Sequence, residues 1–376
     1  MNAVVLPESL IAQLIDHAAA LSAHLQQDFS QMTLQREQLR QRLEQEEMVV
    51  RVQPTCPPWE RVYAVDGAHV AEVDRGSAYS IACAVRVGEA LEDNDQRSSL
   101  SILPHAPCLT ALSSGLMMMH EIMMAVQVVE QFPKALCLID GSRINSIIHV
   151  NQFYAGIERD LPDQLGHWRR FATAYPDREP GRTLAAFEGR DWLTPYLTSS
   201  RIVGNLKLVT TTSLIETYIP HWVGRFDDKT FASLVLEAGE ALQPVSIRQP
   251  ERPYHVSSAY PFCESANEVA QWLTISGDPH EIHHLYYRPD APHGVFKIEM
   301  NRRFLDDAAG TSALLAWWLQ DTASPDLQEP YRFYVADRFA KQGVSVAAAA
   351  LKEVVRRDME LASWAWFFSQ PYRTVD

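Results

Sequence analysis

Lys134-Ala-Leu-Cys-Leu-Ile-Asp-Gly-Ser-Arg143 is the stretch from which the fold can be read. An apolar run, Ala135 to Ile139, stops abruptly at Asp140-Gly141-Ser142. That profile predicts a buried strand that delivers the Asp140 carboxylate at its C-terminal tip, followed by a tight turn. The same pattern occurs earlier, where Arg61-Val62-Tyr63-Ala64-Val65 runs into Asp66-Gly67-Ala68-His69. Two strands that each end in Asp-Gly can set two carboxylates side by side. Like charges that close raise each other's pKa unless a cation lies between them. An all-oxygen donor set suits a divalent metal.

The rest of the chain is consistent with a large packed body around these strands. It has 376 residues, 47% of them hydrophobic, enough for two or three structural units or one elaborated domain. A formal net charge of -14 argues against non-specific attraction to anionic surfaces, though a local basic channel can still hold nucleic acid. The five cysteines (Cys56, Cys83, Cys108, Cys137, Cys263) are scattered, odd in number and without a Cys-x-x-Cys spacing. They read as reduced core thiols of a cytoplasmic protein, not zinc ligands or disulfides. No basic segment followed by an apolar core opens the chain, so no signal peptide is expected. The longest apolar run, Leu112 to Val129, is broken by His120, Glu121 and Gln127 and reads as a core helix, not a membrane span.

Residues 6–48 carry apolar positions at helical spacing, then a polar stretch from Gln31 to Glu47, and predict an N-terminal arm over 1–50. That polarity favours contact with a second subunit over packing on several sides. Pro57 and Pro58 mark the boundary with a main domain over 58–345. Ala78 to Val87 suits a strand paired with Arg61 to Val65, and a helix is expected from about Ser113 to Glu130. Strands, helix, then strand again is an α/β order: a mixed sheet flanked by helices. Residues 346–376, with Ala347 to Ala350 and the tryptophans Trp364 and Trp366, are expected as a C-terminal helical tail packed on the body.

The predicted helix holds two acids, Glu121 and Glu130, on opposite faces at about 100° per residue. Glu121 is embedded in Met117-Met118-Met119-His120-Glu121-Ile122-Met123-Met124, and a carboxylate surrounded that closely needs a partner. It is therefore taken as the third acid, with Glu130 as its rival. Lys207 lies within the strand-like Arg201-Ile-Val-Gly-Asn-Leu-Lys-Leu-Val209 and would donate to a developing phosphoryl charge beside an acidic site. Trp168-Arg169-Arg170 is a short basic-aromatic patch of the kind more often found on a surface than on a base. The histidines His280, His283, His284 and His293 match no common zinc spacing.

The order of these motifs resembles the NurA nuclease family: Asp-Gly at a first strand, an acidic helix, Asp-Gly-Ser at a later strand, Val203-Gly-Asn-Leu-Lys207, and a late Pro330-Tyr331…Ala336-Asp337-Arg338 tract. The resemblance covers roughly residues 60–345. It implies an RNase H-like core and a manganese- or magnesium-dependent nuclease holding two ions. It also implies a homodimer and partnership with a HerA-type hexameric DNA-translocating ATPase, in 5′-end resection or single-strand cleavage for repair or defence. Carried over residue by residue, Asp66 and Asp140 match the metal aspartates, Glu121 the helix acid, Lys207 the strand lysine and Tyr331 the late tyrosine. Asp337 stands where the family has a histidine, and Ala68 where it has a serine. An aspartate offers an oxygen ligand but cannot act as a neutral imidazole donor.

The chemistry stands beside the resemblance. Phosphodiester hydrolysis needs an attacking water deprotonated near neutral pH and a stabilised leaving oxygen, which paired divalent ions supply. Arg143, Arg201, Arg302 and Arg303 are the candidate DNA contacts, and backbone hydrolysis needs no base readout. Two other classes compete. An actin-like ATPase also uses Asp-Gly turns, but it expects a glycine-rich phosphate loop that this chain, with 16 glycines, lacks. A catalytically silent docking subunit of a DNA translocase would keep the fold without the chemistry.

Overall fold

The computed structural model describes residues 8–358 except 54, 56, 74–77, 104–105, 176–177, 208–210, 248–253, 290–293 and 323–328. His293, Trp364 and Trp366 lie outside the described residues. Helix α1 (Glu8–Gln45) precedes strands β1 (Val49–Arg51), β2 (Arg61–Val73), β3 (Ala78–Val87) and β4 (Asp95–Leu103). Helix α2 (Leu109–Gln131) leads into β5 (Ala135–Asp140). Four helices, α3 (Arg143–Asp160), α4 (Pro162–Ala174), α5 (Gly181–Glu188) and α6 (Leu193–Thr198), then separate β5 from β6 (Ile202–Leu206). Beyond it come α7 (Ser213–Tyr218), α8 (Asp228–Val235), β7 (Glu240–Leu242), β8 (Val245–Ser246), α9 (Cys263–Trp272), β9 (Ile282–Arg288) and β10 (Phe296–Asn301). Helices α10 (Arg302–Leu305), α11 (Ala308–Asp321) and α12 (Tyr331–Asp358) follow.

The strands form one mixed sheet in the order β1-β7-β9-β10-β6-β5-β2-β3-β4, with β8 paired to β9. Its centre is RNase H-like: β2, β3 and β4 are antiparallel, and β5 and β6 run parallel beside β2. The apolar run Ala135 to Ile139 is buried on both faces, as a central parallel strand requires. Alternation divides the side chains between two cores. Tyr63, Val65, Cys137 and Ile139 face α2 and α3, whereas Val62, Ala64, Leu136 and Leu138 face α11 and Phe333 of α12. Asp66 and Asp140 continue the second set, so both point to the α12 side of the sheet.

The Asp66-Gly67 pair does not end its strand in a turn, because β2 runs on to Val73. The parallel partner β5 stops opposite Val65, but β3 stays paired through Asp66↔Val85 and Gly67↔Ala84 and keeps the chain extended. At Asp140 the expectation holds. Gly141 takes φ +118°, and Ser142 caps α3 by accepting a hydrogen bond from the Ile144 N–H.

Helix α2 is the one described helix long and apolar enough to cross a membrane, and 83% of its apolar window is buried between the sheet and its neighbours. Cys83, Cys108, Cys137 and Cys263 are free thiols. Helix α12 lays Ala336, Ala340, Val344 and Ala348 against Tyr79, Ile81, Cys83 and Val85 of β3. These small residues repeat at about one turn, let the helix approach the sheet closely and carry it unbroken across residues 345–346. In α1 it is the polar half that docks. Leu39 and Leu43 are buried, and Arg40 forms a bidentate pair with Glu240, while Ile15 and Leu21 in the first half are exposed.

Candidate active site

Three elements distant in sequence bring carboxylates together at the C-terminal end of β5. Asp66 follows Val65, which pairs with Ile139, so Asp66 and Asp140 are neighbours across the parallel ladder. Helix α12 adds Asp337, one residue past the buried Ala336. One carboxylate oxygen from each of Asp66, Asp140 and Asp337 lies within 4.8 Å of the others. Asp66 Oδ1 accepts from the Gly67 N–H at 2.7 Å, and Oδ2 is buried with no hydrogen-bond partner among the described residues. An orphaned buried carboxylate oxygen is costly unless something outside the protein completes it. Burial, reinforced by Asp140 and Glu121, pushes the Asp66 carboxyl well above its ordinary value. The donors are all oxygen, two are partly accessible, and one lacks a partner, so the residues fit a divalent cation.

Glu121 comes from α2 on the other side and lines the same small cavity as Asp66 and Asp140. It is 5% exposed, and burial, then the nearby Asp140 charge, pushes its carboxyl up to about 8. It reaches the site because position 67 has no Cβ: a methyl group there would collide with Glu121 Oε1, Met117 and the Cys83 carbonyl. The rival Glu130 is half exposed and pairs with Arg190 instead. Gly67→Ala is therefore expected to displace the Glu121 carboxylate. It should weaken divalent-metal affinity by about 10-fold, the scale of supporting contacts around a metal site. Calorimetric titration with Mn2+ checks this, and unchanged affinity would remove Glu121 from the site.

Lys207, just past β6, lies 2.7 Å from Asp140 Oδ2 and 2.7 Å from Glu329 Oε2. Burial pulls its ammonium down, but Asp140 and Glu329 outweigh that and hold its pKa above the ordinary value. Its charge offsets part of the acid cluster. Glu329 escaped the sequence reading. It immediately precedes the Pro330-Tyr331 tract, and nothing local marks it as a partner of Lys207. Asn145, His149 and Tyr196 also line the cavity around Asp140 without a sequence signal.

The other candidates are placed elsewhere. Tyr331 is half exposed at the first residue of α12, about 9 Å along the helix from Asp337 at its usual rise. Arg143 is fully buried: Nη1 donates to the Leu197 carbonyl, so it cannot present a surface to DNA. Arg201 donates to the carbonyls of Val129 and Phe132 and so closes the C-terminal end of α2. Arg302 pairs with Glu281, and Arg302 and Arg303 both follow the far end of β10. The register Lys297↔Leu206 puts the near end of β10 beside the acids, so these two arginines lie beyond the opposite edge. The expected DNA surface of Arg143, Arg201, Arg302 and Arg303 is therefore not formed. A guanidinium's neighbours are set by tertiary packing, which the local sequence does not report. The Trp168-Arg169-Arg170 patch is likewise internal in part, with Trp168 buried and Arg169 paired with Glu188. His283 and His284 pair with Glu281 and Glu299.

No protein-family model matches the sequence, and no curated protein matches it. Among solved structures, the chain is similar to the crystal structure of the NurA nuclease from Sulfolobus solfataricus, with a TM-score of 0.56 and 12% identity over 94% of this chain and 99% of that one. A second NurA crystal structure aligns with a TM-score of 0.53 and 12% identity over 92% of this chain and 98% of that one. A crystal structure of NurA bound to dAMP and manganese aligns with a TM-score of 0.52 and 12% identity over 92% and 99%. The chain has a NurA-like fold.

Proposed function

We propose that this protein is a metal-dependent deoxyribonuclease that hydrolyses phosphodiester bonds. The observation that carries the reading is the convergence of Asp66, Asp140 and Asp337 within 4.8 Å, with a buried Asp66 oxygen left without a partner. Its NurA-like fold, shared with a structure that holds manganese, supports the same reading. Asp66, Asp140 and Asp337 would hold Mn2+ or Mg2+, and Glu121 stands ready to complete a second ion. Bound there, the metal supplies a Lewis acid that activates water and stabilises the leaving oxygen.

The chain's own residues do the rest. Asp140 fixes Lys207 beside the cluster, where the ammonium neutralises the negative charge that gathers on the phosphate. Burial and the Asp140 charge push the Glu121 carboxyl up to about 8, so it would hold a proton at neutral pH and give it up where a cation is bound. The methionines around it keep bulk water from its inner side. Asp337 takes the place of an imidazole in this arrangement and acts through oxygen alone.

Resection of 5′ ends or single-strand cutting, partnership with a HerA-type hexameric ATPase, a homodimer and a cytoplasmic location complete the proposal. The exposed Ile15 and Leu21 on the free half of α1 support a role for that arm in self-association. The actin-like alternative gains nothing from the comparisons, whose fold likeness is to NurA.

The test is cleavage of end-labelled single-stranded and duplex DNA with Mn2+, against EDTA. Cutting with Mn2+ alone is the expected result. Silence with Mn2+, and again with the cognate ATPase and ATP present, would leave a docking subunit as the better reading.

A further inference from the structure

On the face of the sheet opposite the Asp66 and Asp140 carboxylates lies a larger cleft, about 580 Å³ in volume. It shares Ser142 and Asn145 with the walls of the acidic cavity, so the two adjoin at the N-terminus of α3. Lys297 stands in its wall. In β10 Ile298 points into the Leu314 and Trp318 core, so Lys297 and Glu299 point the other way, into the α3 side. Lys297 is 1% exposed, yet among the described residues its ammonium makes one hydrogen bond, to the Thr211 hydroxyl at 2.8 Å.

A buried ammonium is costly without an anion. Three carboxylates act on it, Asp228, Glu299 and Asp227, but each has donors of its own, and Asp227 accepts the Thr230 N–H and hydroxyl. Asp228 accepts the Leu214 and Ile215 N–H groups at 2.8 and 3.1 Å. Glu299 accepts the Ser142 hydroxyl and the Arg143 N–H. None of the three forms an ion pair with Lys297 among the described residues, and burial pushes the Lys297 ammonium down to about 8. The ammonium, 5.7 Å from the centre of the Tyr286 ring, stands in the wall of a cleft that Thr211, Thr212, Ser213, Ile144 and Ile148 also line. Two carboxylates share that lining, Asp228 and Glu216, and Glu216 accepts the Thr212 hydroxyl. A cation, hydroxyls and apolar side chains within one cleft are matched by a nucleotide, whose phosphate is charged and whose base has flat, apolar faces. The volume lies within the range of small-molecule sites. Lys297 is two strands from Asp140, so their backbones lie about 10 Å apart across the sheet, with the two side chains on opposite faces.

We propose that this cleft is a nucleotide-phosphate subsite in which Lys297 and Thr211 hold a phosphate. The phosphate belongs either to the DNA strand or to a free nucleoside monophosphate. The strand source rests on the nuclease reading; the phosphate chemistry does not.

The experiment is binding by the full-length protein in EDTA. Thymidine monophosphate and thymidine are titrated by calorimetry, and a fluorescent single-stranded oligodeoxynucleotide by anisotropy, with wild type and Lys297→Met. Thymidine monophosphate is expected to bind at least 10-fold more tightly than thymidine, and Lys297→Met to remove that difference. If Lys297→Met also weakens the oligodeoxynucleotide, the strand is a ligand; if only the monophosphate weakens, the ligand is the free nucleotide. Equal binding of monophosphate and thymidine, or wild-type binding of both phosphate ligands by Lys297→Met, would overturn the subsite. Should Lys297→Met fail to fold, Thr211→Val serves, with an expected loss of at least 3-fold confined to phosphate-bearing ligands. Phosphate-dependent binding without Mn2+-dependent cleavage would refute the nuclease reading and leave the subsite standing.

Discussion

Asp140→Asn is expected to lower metal-dependent DNA cleavage by about 1,000-fold or more, a loss of about 4 kcal/mol of transition-state stabilisation. The substitution keeps the shape of the side chain and removes its charge. Three consequences converge on that one atom group. The metal loses an anionic ligand from a cluster whose three oxygens lie within 4.8 Å. Lys207 loses the partner 2.7 Å away that holds it beside the site, and keeps only Glu329. The field that raises the Asp66 and Glu121 carboxyls weakens, because Asp140 is a cause of both shifts. The fold should survive, since Asp140 ends its strand and is only partly buried. The measurement is kcat/KM on a fluorescent oligodeoxynucleotide with Mn2+, together with a calorimetric Mn2+ titration and a melting curve in EDTA. A variant that stays within 10-fold of wild type while retaining Mn2+ affinity would show that the carboxylates are not the catalytic centre.

The second large effect concerns stability. In EDTA the protein should lose stability as pH rises from about 5 toward 8, on the order of a few kcal/mol, and saturating Mn2+ or Mg2+ should flatten that slope. Burial raises both Asp66 and Glu121 in the folded chain, Glu121 from 4.5 to about 8. Between those values the folded state holds protons that the unfolded chain has released. Stability therefore falls with rising pH in that window, and the contribution is complete below the unfolded value and gone above the folded one. A divalent ion replaces the protons as the neutralising charge and removes the dependence. Urea unfolding at pH 6 and pH 8.5, with EDTA or metal, reads the effect directly. Glu121→Gln should reduce the slope in EDTA and stabilise the metal-free protein at pH 8.5. A slope that Glu121→Gln leaves intact would assign the proton uptake to other groups.

Both outcomes depend on acids that the chain supplies from separate elements, and the sequence disclosed them unequally. The run Ala135 to Ile139 with Asp140-Gly141-Ser142 after it determined a buried central strand, its carboxylate tip and the helix that follows. The methionines around Glu121 marked that acid over Glu130, because a buried charge without a partner is too costly to be incidental. Lys207 was legible only conditionally, as a lysine in a strand pattern that would serve beside an acidic site, and its match came with the family resemblance. Each of these signals is local: an apolar period or a polar residue within an apolar run reports burial within a few residues.

Other features had no local cause. The extension of β2 through Asp66 depends on β3 holding the extended backbone after β5 has ended. The placement of Asp337 depends on small residues of α12 closing onto β3, more than 200 residues earlier in the chain. Glu329 becomes a partner of Lys207, and Arg143 and Arg201 turn inward to backbone carbonyls, only once distant segments have packed. The sequence by itself determined which strands are buried and which of their residues are charged. Tertiary structure alone decided which charges meet, because an ion pair or a carbonyl cap is made between side chains whose separation along the chain leaves no periodic trace.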